Sequence, residues 1–242
     1  MTELKIMIYN MHHGKGMDGQ PNLERIAKLV KEIDPDIIGF NEVDRFFHKR
    51  SGFKDQFSWF CGELGLNCAF GAAITRKKGD TIREYGNALF SRFPIVSHTN
   101  HGLRARRLTI SEPRSVLEAG IDLGGKQLLK VFLSHLSFIP ILRRIQTELV
   151  VQRLEAESGP SVLMGDFNMI PGSGSWNKIT RVLNDVTHQL HGRPLSTFPS
   201  VHPVTQKDYI FTSPQIVIRN AETIDRDRRA SDHLPLLTKV SV

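Results

Sequence analysis

The stretch SVLMGDFNMIPGS, Ser161–Ser173, joins an apolar run to a polar end and decides how the fold is understood. The apolar residues stop at Gly165, and Asp166 and Asn168 then flank a phenylalanine. A short apolar run bounded by turn residues predicts a buried strand, and the Pro, Gly and Ser behind it predict a loop. Because Asp and Asn are common where strands become loops, a purely structural explanation stays open at this point.

The composition indicates a basic chain that can bury a large core. Its 242 residues are 40% hydrophobic, and no low-complexity block, repeat or long linker divides them, so we expect one domain over residues 1–242. The formal net charge of +7 favours polyanionic partners such as nucleic acid or anionic lipid head groups. For the arginine-rich segments LRARRL (103–108) and DRDRRA (225–230), solvated loops are the preferred interpretation, and contacts with phosphate are the alternative.

The sequence also favours a cytoplasmic location. No run of about 18 apolar residues occurs, so no transmembrane segment is expected, and the stretch MTELKIMIYNMHHG lacks the pattern of a signal peptide. The two cysteines, Cys61 and Cys68, have no further Cys and no His-x-x-His nearby. We therefore expect reduced thiols, with neither a disulfide framework nor a zinc site.

Strand-like and helix-like segments alternate along the chain. A first helix is expected after an Asn22 cap as far as Asp34-Pro35, and a second over residues 53–64. A third is expected after Pro140, where Ile141, Ile145 and Leu149 begin an apolar stripe that Val150 or Leu154 continues, and a short helix is expected after Ser175. Strands are expected over 4–11, 36–43, near 68–74 and 86–91, and over 115–123, 126–136, 161–168, 208–213, 215–224 and 234–242. Gly124-Gly125 signals a hairpin. Hairpins mixed with strand–helix–strand units predict two mixed sheets packed face to face, with helices outside.

Polar residues recur where these predicted strands begin or end. They are Asn10, Glu42, His135, Asp166, Asn168, Asp208, Asp232 and His233. Each alone has a structural explanation, as a turn residue, a surface carboxylate or a hydrogen-bonded core histidine. Together they would repel one another unless a cation or a phosphate shared the cluster, and almost no lysine lies among them.

Metal-assisted phosphoester hydrolysis requires such a set. Mg²⁺ takes one or two carboxylates together with waters and a substrate oxygen, so Glu42 suits the cation, with Asn10 and Asp232 nearby. Asp166 would orient and deprotonate the attacking water. The amides of Asn168 and Asn10 would donate to phosphate oxygens as charge builds in the transition state.

A histidine held by a carboxylate would complete the set. Asp208 would orient His233, which in its protonated form can donate a hydrogen bond to the phosphate.

At these residues the sequence resembles the endonuclease/exonuclease/phosphatase superfamily. The motifs YNMHHG, NEVD, GNALFSRFPI, SHLS, GDFN, DYIF and SDHLP occur in family order over the full chain. The resemblance implies a four-layer α/β sandwich of the DNase I type, with two mixed sheets between outer helices. It implies the roles given above for the metal, water and phosphate residues, and it adds His135 as a catalytic residue.

The resemblance also suggests residues around the substrate. Asn87, Arg114 and His13 are candidates for substrate contacts, although loop roles are equally open for the last two. Glu84 is the candidate partner of His135, with a plain surface carboxylate as the alternative. NEVD carries Asn41 where the family more often has Gln, one neutral amide for another.

The sequence thus predicts a Mg²⁺- or Mn²⁺-dependent phosphoesterase. A phosphodiesterase or nuclease acting on nucleic acid is the first expectation, because of the basic charge. A phospholipid or small phosphate ester is the alternative substrate. A non-catalytic phosphate-binding module is the alternative of another class, but Glu42, Asp166, Asn168, Asp208 and His233 are all present, which a module without activity would not require.

Overall fold

The computed structural model describes residues 2–103 and 113–242, and these form two six-stranded sheets flanked by helices. The strands are β1 (Glu3–Asn10), β2 (Ile37–Arg45), β3 (Asn67–Lys78), β4 (Thr81–Ser91), β5 (Ile95–Gly102), β6 (Ser115–Asp122), β7 (Leu128–His135), β8 (Ser161–Asp166), β9 (Asn184–Asp185), β10 (Asp208–Thr212), β11 (Val217–Thr223) and β12 (Leu236–Ser241). The helices are α1 (Leu23–Ile33), α2 (Gln56–Leu64), α3 (Pro140–Leu154), α4 (Gly174–Ile179) and α5 (Val186–His191).

Both sheets are mixed, as the sequence predicts. The first has the order β11-β12-β1-β2-β4-β3, and the second has the order β5-β6-β7-β8-β10-β9. Each contains one parallel pair, β1 with β2 and β7 with β8, while the other pairs are antiparallel. In each parallel pair the carboxyl ends of two strands meet at one edge of the sheet.

Strand alternation explains the layers. In β1, Ile6 and Ile8 pack into the core between the sheets, whereas Met7 and Tyr9 pack outward in a cluster with α1 and α2. A third cluster joins the outer face of the second sheet to α3. The expected four-layer α/β sandwich is confirmed. No helix within the described ranges is long and apolar enough to span a bilayer.

Helix α1 begins and ends as its sequence predicts. The Asn22 side chain accepts a hydrogen bond from the Arg25 N–H at 2.8 Å, and Asp34 closes the helix in the left-handed conformation before Pro35.

The buried face of α3 differs from the expected one. Leu142, Val150 and Leu154 are buried, whereas Ile141 is 62% exposed. The face of the helix that packs on the sheet is shifted by one residue from the expected one. It includes the polar Gln146, whose side chain accepts a hydrogen bond from the Ser137 N–H at 2.8 Å. The expectation that Ile141 begins the core stripe was therefore wrong.

The expectation of two reduced thiols was also wrong. Cys61 in α2 and Cys68 in β3 form a disulfide across seven residues, because the chain turns at Gly65 and returns the strand beside the helix. Disulfides persist mainly in oxidising compartments. The prediction of a cytoplasmic location therefore loses the support that it drew from free thiols.

Candidate active site

The predicted polar residues gather at the edge where the parallel strands of both sheets end. Asn10 ends β1, and Glu42 lies near the end of β2 in the same sheet. His135 and Asp166 end β7 and β8, directly opposite each other in register. The candidate active site formed by these residues, which we call the cleft, is therefore built from both sheets.

Asn10 connects the two carboxylates. Its Nδ2 donates to Glu42 Oε1 at 3.2 Å and to Asp166 Oδ2 at 3.0 Å, while its Oδ1 accepts from the His12 N–H at 3.0 Å. Since one amide nitrogen reaches both carboxylates, they lie well within the distance that a cation and its waters can bridge. In this conformation Asn10 presents a donor to the cleft, and its role as a metal ligand stays a prediction.

Glu42 is positioned by an irregularity in β2. The register between β2 and β4 shifts between Phe40 and Val43, and Glu42 adopts a positive φ of 64°. Bulges of this kind redirect side chains and are frequent beside active sites. Here the bulge turns Glu42 towards His13, whose Nδ1 lies 3.6 Å from its Oε2.

Glu42 is held as a carboxylate. Burial by itself would raise its pKa, but the neighbouring His13 imidazole and the hydrogen bond from the Asn10 amide hold that pKa well below its usual range. The side chain keeps 19% of its surface exposed and opens to the cleft.

A hydrogen bond fixes the backbone of Asp166, and burial changes the pKa of its side chain. Its N–H donates to Asn41 Oδ1 at 2.7 Å, and its Oδ1 accepts the Asn168 N–H at 3.0 Å. Burial raises the pKa of Asp166 to about 6, against the lowering effect of His233. The carboxylate is therefore ionised at neutral pH but has an unusually high affinity for a proton.

Asn41 is a residue whose role sequence reasoning did not identify. Besides holding the Asp166 N–H, its Nδ2 donates to Asn87 Oδ1 at 2.8 Å and to the Ser134 carbonyl oxygen at 3.2 Å. It thus ties β2 and β4 of one sheet to β7 and β8 of the other. The signal was its place beside Glu42 in NEVD.

Gly165 is required by the close approach of β7 to β8. A Cβ at this position would lie 1.8 Å from the Ser134 carbonyl oxygen, so any larger residue would push the two strands apart. The following Phe167 is fully buried against Tyr209 and Phe211. The GDFN sequence therefore aims its aromatic ring at the core while its polar residues face the cleft.

Asp208 and His233 form a buried pair. His233 Nδ1 lies 2.7 Å from Asp208 Oδ2, and His233 Nε2 lies 3.7 Å from Asp166 Oδ2. Burial would lower the pKa of His233, but the charge and hydrogen bond of Asp208, with the charge of Asp166, raise it to about 10. His233 is therefore a cation that directs Nε2 towards the cleft.

His135 has the opposite character. Burial and the neighbouring Arg114 lower its pKa well below the usual value, so the ring is neutral. Its Nε2 lies 3.3 Å from Asn168 Nδ2 and 3.5 Å from Asp166 Oδ2. Asn168 also donates to the Leu136 carbonyl oxygen at 3.1 Å.

The remaining predicted residues lie at different depths. Asp232 faces His12, with Oδ1 3.6 Å from Nδ1, and His13 is buried behind Glu42. Asn87 is 2% exposed and belongs to the Asn41 network, so it lies behind the cleft surface. Arg114 is buried beside His135.

Glu84 does not reach His135. Its Oε2 forms an ion pair with Arg45 at 3.1 Å, and its Oε1 accepts from Thr75. The prediction that Glu84 pairs with His135 was therefore wrong. Glu84 lies on β4 between Arg45 of β2 and Thr75 of β3, and its side chain binds these two neighbours instead. Arg104, Arg106 and Arg107 lie outside the described residues.

The donor set fits a hard divalent cation. Asp166, Asp208 and His233 offer ligand atoms within 4.8 Å of one another. His233 is protonated and bound to Asp208, however, so this trio serves proton transfer better than metal binding. Glu42, an ionised and partly exposed carboxylate with Asn10 and Asp166 around it, offers the oxygen ligands that Mg²⁺ prefers.

Comparisons with known proteins identify the family and the fold of the chain. The Endonuclease/Exonuclease/phosphatase family matches residues 7–233. The uncharacterized protein YbhP of Escherichia coli strain K12 is 24% identical over 255 residues, covering 98% of this chain and 95% of YbhP.

Solved structures share the fold. An endonuclease/exonuclease/phosphatase from Beutenbergia cavernae has a TM-score of 0.85 at 23% identity, covering 99% of this chain and 72% of that one. The mannosyl-6-phosphatase Bt3783 of Bacteroides thetaiotaomicron has a TM-score of 0.75 at 20% identity, covering 99% and 100%. With the family match spanning nearly the whole sequence, the chain belongs to the Endonuclease/Exonuclease/phosphatase family.

Proposed function

We propose that this protein is a Mg²⁺- or Mn²⁺-dependent phosphodiesterase. The observation that carries the proposal is that Asp166 is ionised at neutral pH while the neighbouring His233 is protonated. Asp166 has a pKa of about 6 and His233 a pKa of about 10, and their facing atoms lie 3.7 Å apart. Around neutral pH one group accepts a proton and the other donates a hydrogen bond, as an in-line attack of water on phosphorus requires.

Each residue contributes to one part of the reaction. Asp166 accepts a proton from the attacking water, and protonated His233 donates to a phosphate oxygen as negative charge develops. Asn168 adds an amide donor at the same position. Glu42, with Asn10 and Asp232 beside it, would hold the cation, which would neutralise phosphate charge and polarise the bond to phosphorus.

Polynucleotides are the first substrate candidate. The formal charge of +7 and Arg114 beside His135 favour a polyanion. If DNA or RNA is cleaved, binding weakens steeply as salt rises, because counterions released by Lys and Arg contacts are recovered. Cleavage that is insensitive to salt would argue against this substrate.

Phospholipids are the second candidate. Phe138, only three residues after His135, is 67% exposed, and a large apolar side chain beside a phosphoesterase cleft suits a lipid substrate.

The test is a panel of substrates with and without EDTA. DNA, RNA, phospholipid vesicles, bis(4-nitrophenyl) phosphate and 4-nitrophenyl phosphate would be compared, so that diesterase and monoesterase activities are separated. We expect diester hydrolysis that requires the cation and that falls on the order of 100-fold or more in Glu42→Gln.

The matched control is Glu32→Gln, which changes an exposed glutamate of α1 paired only loosely with Lys28 at 3.9 Å. It should retain full activity. Hydrolysis that survives both EDTA and Glu42→Gln would contradict the proposal.

A further inference from the structure

Large apolar side chains are exposed on segments next to the strand ends that carry the site residues. Of the exposed apolar residues in the described ranges, many lie on segments that follow or precede the site-bearing strand ends. They include Phe53, Ile82, Phe138, Ile141 and Ile170. Exposed apolar side chains that gather around one opening mark an interaction surface more reliably than scattered ones do.

Three of them form what we call the apolar rim: Phe138, Ile141 and Ile170, exposed by 67%, 62% and 58%. Phe138 and Ile141 follow His135, and Ile170 follows Asn168. The two loops are joined by the hydrogen bond from Asn168 to the Leu136 carbonyl oxygen. The rim therefore stands directly beside the candidate active site.

Cations flank the apolar rim. Pro140, Arg143, Arg144 and Lys178 line a groove of about 430 Å³ between α3 and α4. Arg143 donates to the Phe138 carbonyl oxygen at 3.0 Å, which places its guanidinium beside the segment that carries Phe138. Lys178 is bound to Glu148, so Arg143 and Arg144 supply the net positive charge here.

The hairpin of β3 and β4 repeats this combination of positive charge and exposed apolar side chains. Strands β3 and β4 continue past the end of β2, since Arg45 pairs with Glu84 and the hairpin runs on to its turn at residues 79–80. The extension, residues 75–83, carries Arg76, Lys77, Lys78 and Arg83 around the exposed Ile82. Arg83 lies over the ring of Phe53, another exposed residue, at 4.4 Å.

We propose that this end of the molecule docks on an anionic lipid surface, with the apolar rim entering the boundary between head groups and acyl chains. Positive charge beside protruding apolar side chains is the combination that binds such surfaces. A polynucleotide would complement the charge but not the rim. Ile141 and Ile170 have no aromatic face on which a base could stack, and they gain little beside solvated phosphates.

Docking on a lipid surface does not depend on which phosphoester is hydrolysed, so it goes beyond the proposed function. It would place the cleft at the lipid–water boundary, where a phosphodiester head group is presented from one side only.

Co-sedimentation with vesicles tests the proposal, with EDTA present so that no substrate is turned over. The full chain would be mixed with vesicles of phosphatidylcholine containing phosphatidylglycerol, and with pure phosphatidylcholine. We expect binding to the anionic vesicles, weakened by salt, and a loss of about tenfold or more in Ile141→Ser/Ile170→Ser. Both side chains are exposed, so the variant should keep its melting temperature.

Val96→Ser is the matched control, because Val96 is 58% exposed on β5, away from the strand ends that build the cleft. It should bind anionic vesicles like the unmodified protein. Hydrolysis of soluble bis(4-nitrophenyl) phosphate by all three proteins separates docking from chemistry and should be equal. Absence of vesicle binding would overturn the proposal, as would equal binding by the rim variant. Binding of a single-stranded oligonucleotide that the rim variant alone loses would assign the face to nucleic acid instead.

Discussion

Asp208 and His233 act as a unit at the scale of single residues, because each determines what the other can do. Asp208→Asn keeps the shape of the side chain but removes the charge that holds His233 protonated and fixes its tautomer. We expect kcat to fall on the order of 100-fold or more, with little change in KM. Steady-state kinetics on a soluble diester would measure both.

The double mutant provides the control for this pairing. His233→Ala should reduce kcat to a similar extent, and Asp208→Asn/His233→Ala should be little worse than either single variant. Losses that multiply in the double variant would show two independent residues.

The pKa of His233 gives a pH dependence of stability. Its value rises from about 6.5 in the unfolded chain to about 10 in the metal-free fold, so its stabilising contribution is complete below pH 6.5 and is lost as pH rises towards 10. In EDTA, the difference in unfolding free energy between the unmodified protein and His233→Ala should shrink across that window. Urea titrations at successive pH values measure it, and a constant difference would argue against the raised pKa.

Sequence reasoning at this scale found the side chains that carry charge and missed those that only position them. Asp166, Asp208 and His233 were identifiable because a carboxylate or imidazole at a strand end needs an explanation. Asn41 was not, since its partners come from β4, β7 and β8 and become neighbours only when the two sheets pack together.

At the scale of elements, β7 and β8 approach each other so closely at Gly165 that no Cβ fits between them. Gly165→Ala would place a methyl group against the Ser134 carbonyl oxygen, and we expect it to lower the unfolding free energy by about 3 kcal/mol and to displace Asp166. Thermal unfolding and kcat would both register the change. Gly62→Ala is the comparison: nothing lies within 4 Å of its added methyl group in α2, so it should be neutral or slightly stabilising.

The disulfide between α2 and β3 gives the contrasting prediction for an element far from the cleft. Cys61→Ser/Cys68→Ser should lower the unfolding free energy by about 2 kcal/mol through the freed loop. It should leave kcat unchanged, because Cys68 pairs with Phe90 near the end of the sheet away from Glu42. Equal melting temperatures with and without a reductant would contradict this expectation.

Elements with a buried face were predictable, whereas the exposed strand β5 and the short helix α5 were not. Residues 4–11 and α1 show the apolar spacing that the core requires, so their positions followed from the sequence. Strand β5 is exposed along nearly its whole length and shows no apolar alternation, and α5 has only six residues. Both depend on the neighbouring strands for their conformation, as tertiary context often overrides local preference.

For the whole molecule, Asn41 connects the two sheets. Asn41→Ala would leave the buried Asp166 N–H without its acceptor and is expected to cost about 1–3 kcal/mol of unfolding free energy. It should also lower kcat, because Glu42 and Asp166 belong to different sheets and the hydrogen bond that fixes their relative positions would be lost. Asn87→Ala removes only one acceptor of the Asn41 amide and should do less on both measures. Full activity in Asn41→Ala would contradict this role.

Since Glu42 and Asp166 come from different sheets, neither half of the fold holds a working cleft. During refolding from denaturant, secondary structure and collapse can recover while the sheets are still unaligned. Hydrolysis should return only with the final kinetic step, when the Asn10 amide again reaches both carboxylates. The recovery of the proposed hydrolysis would therefore report when the two sheets align, as the last event of folding.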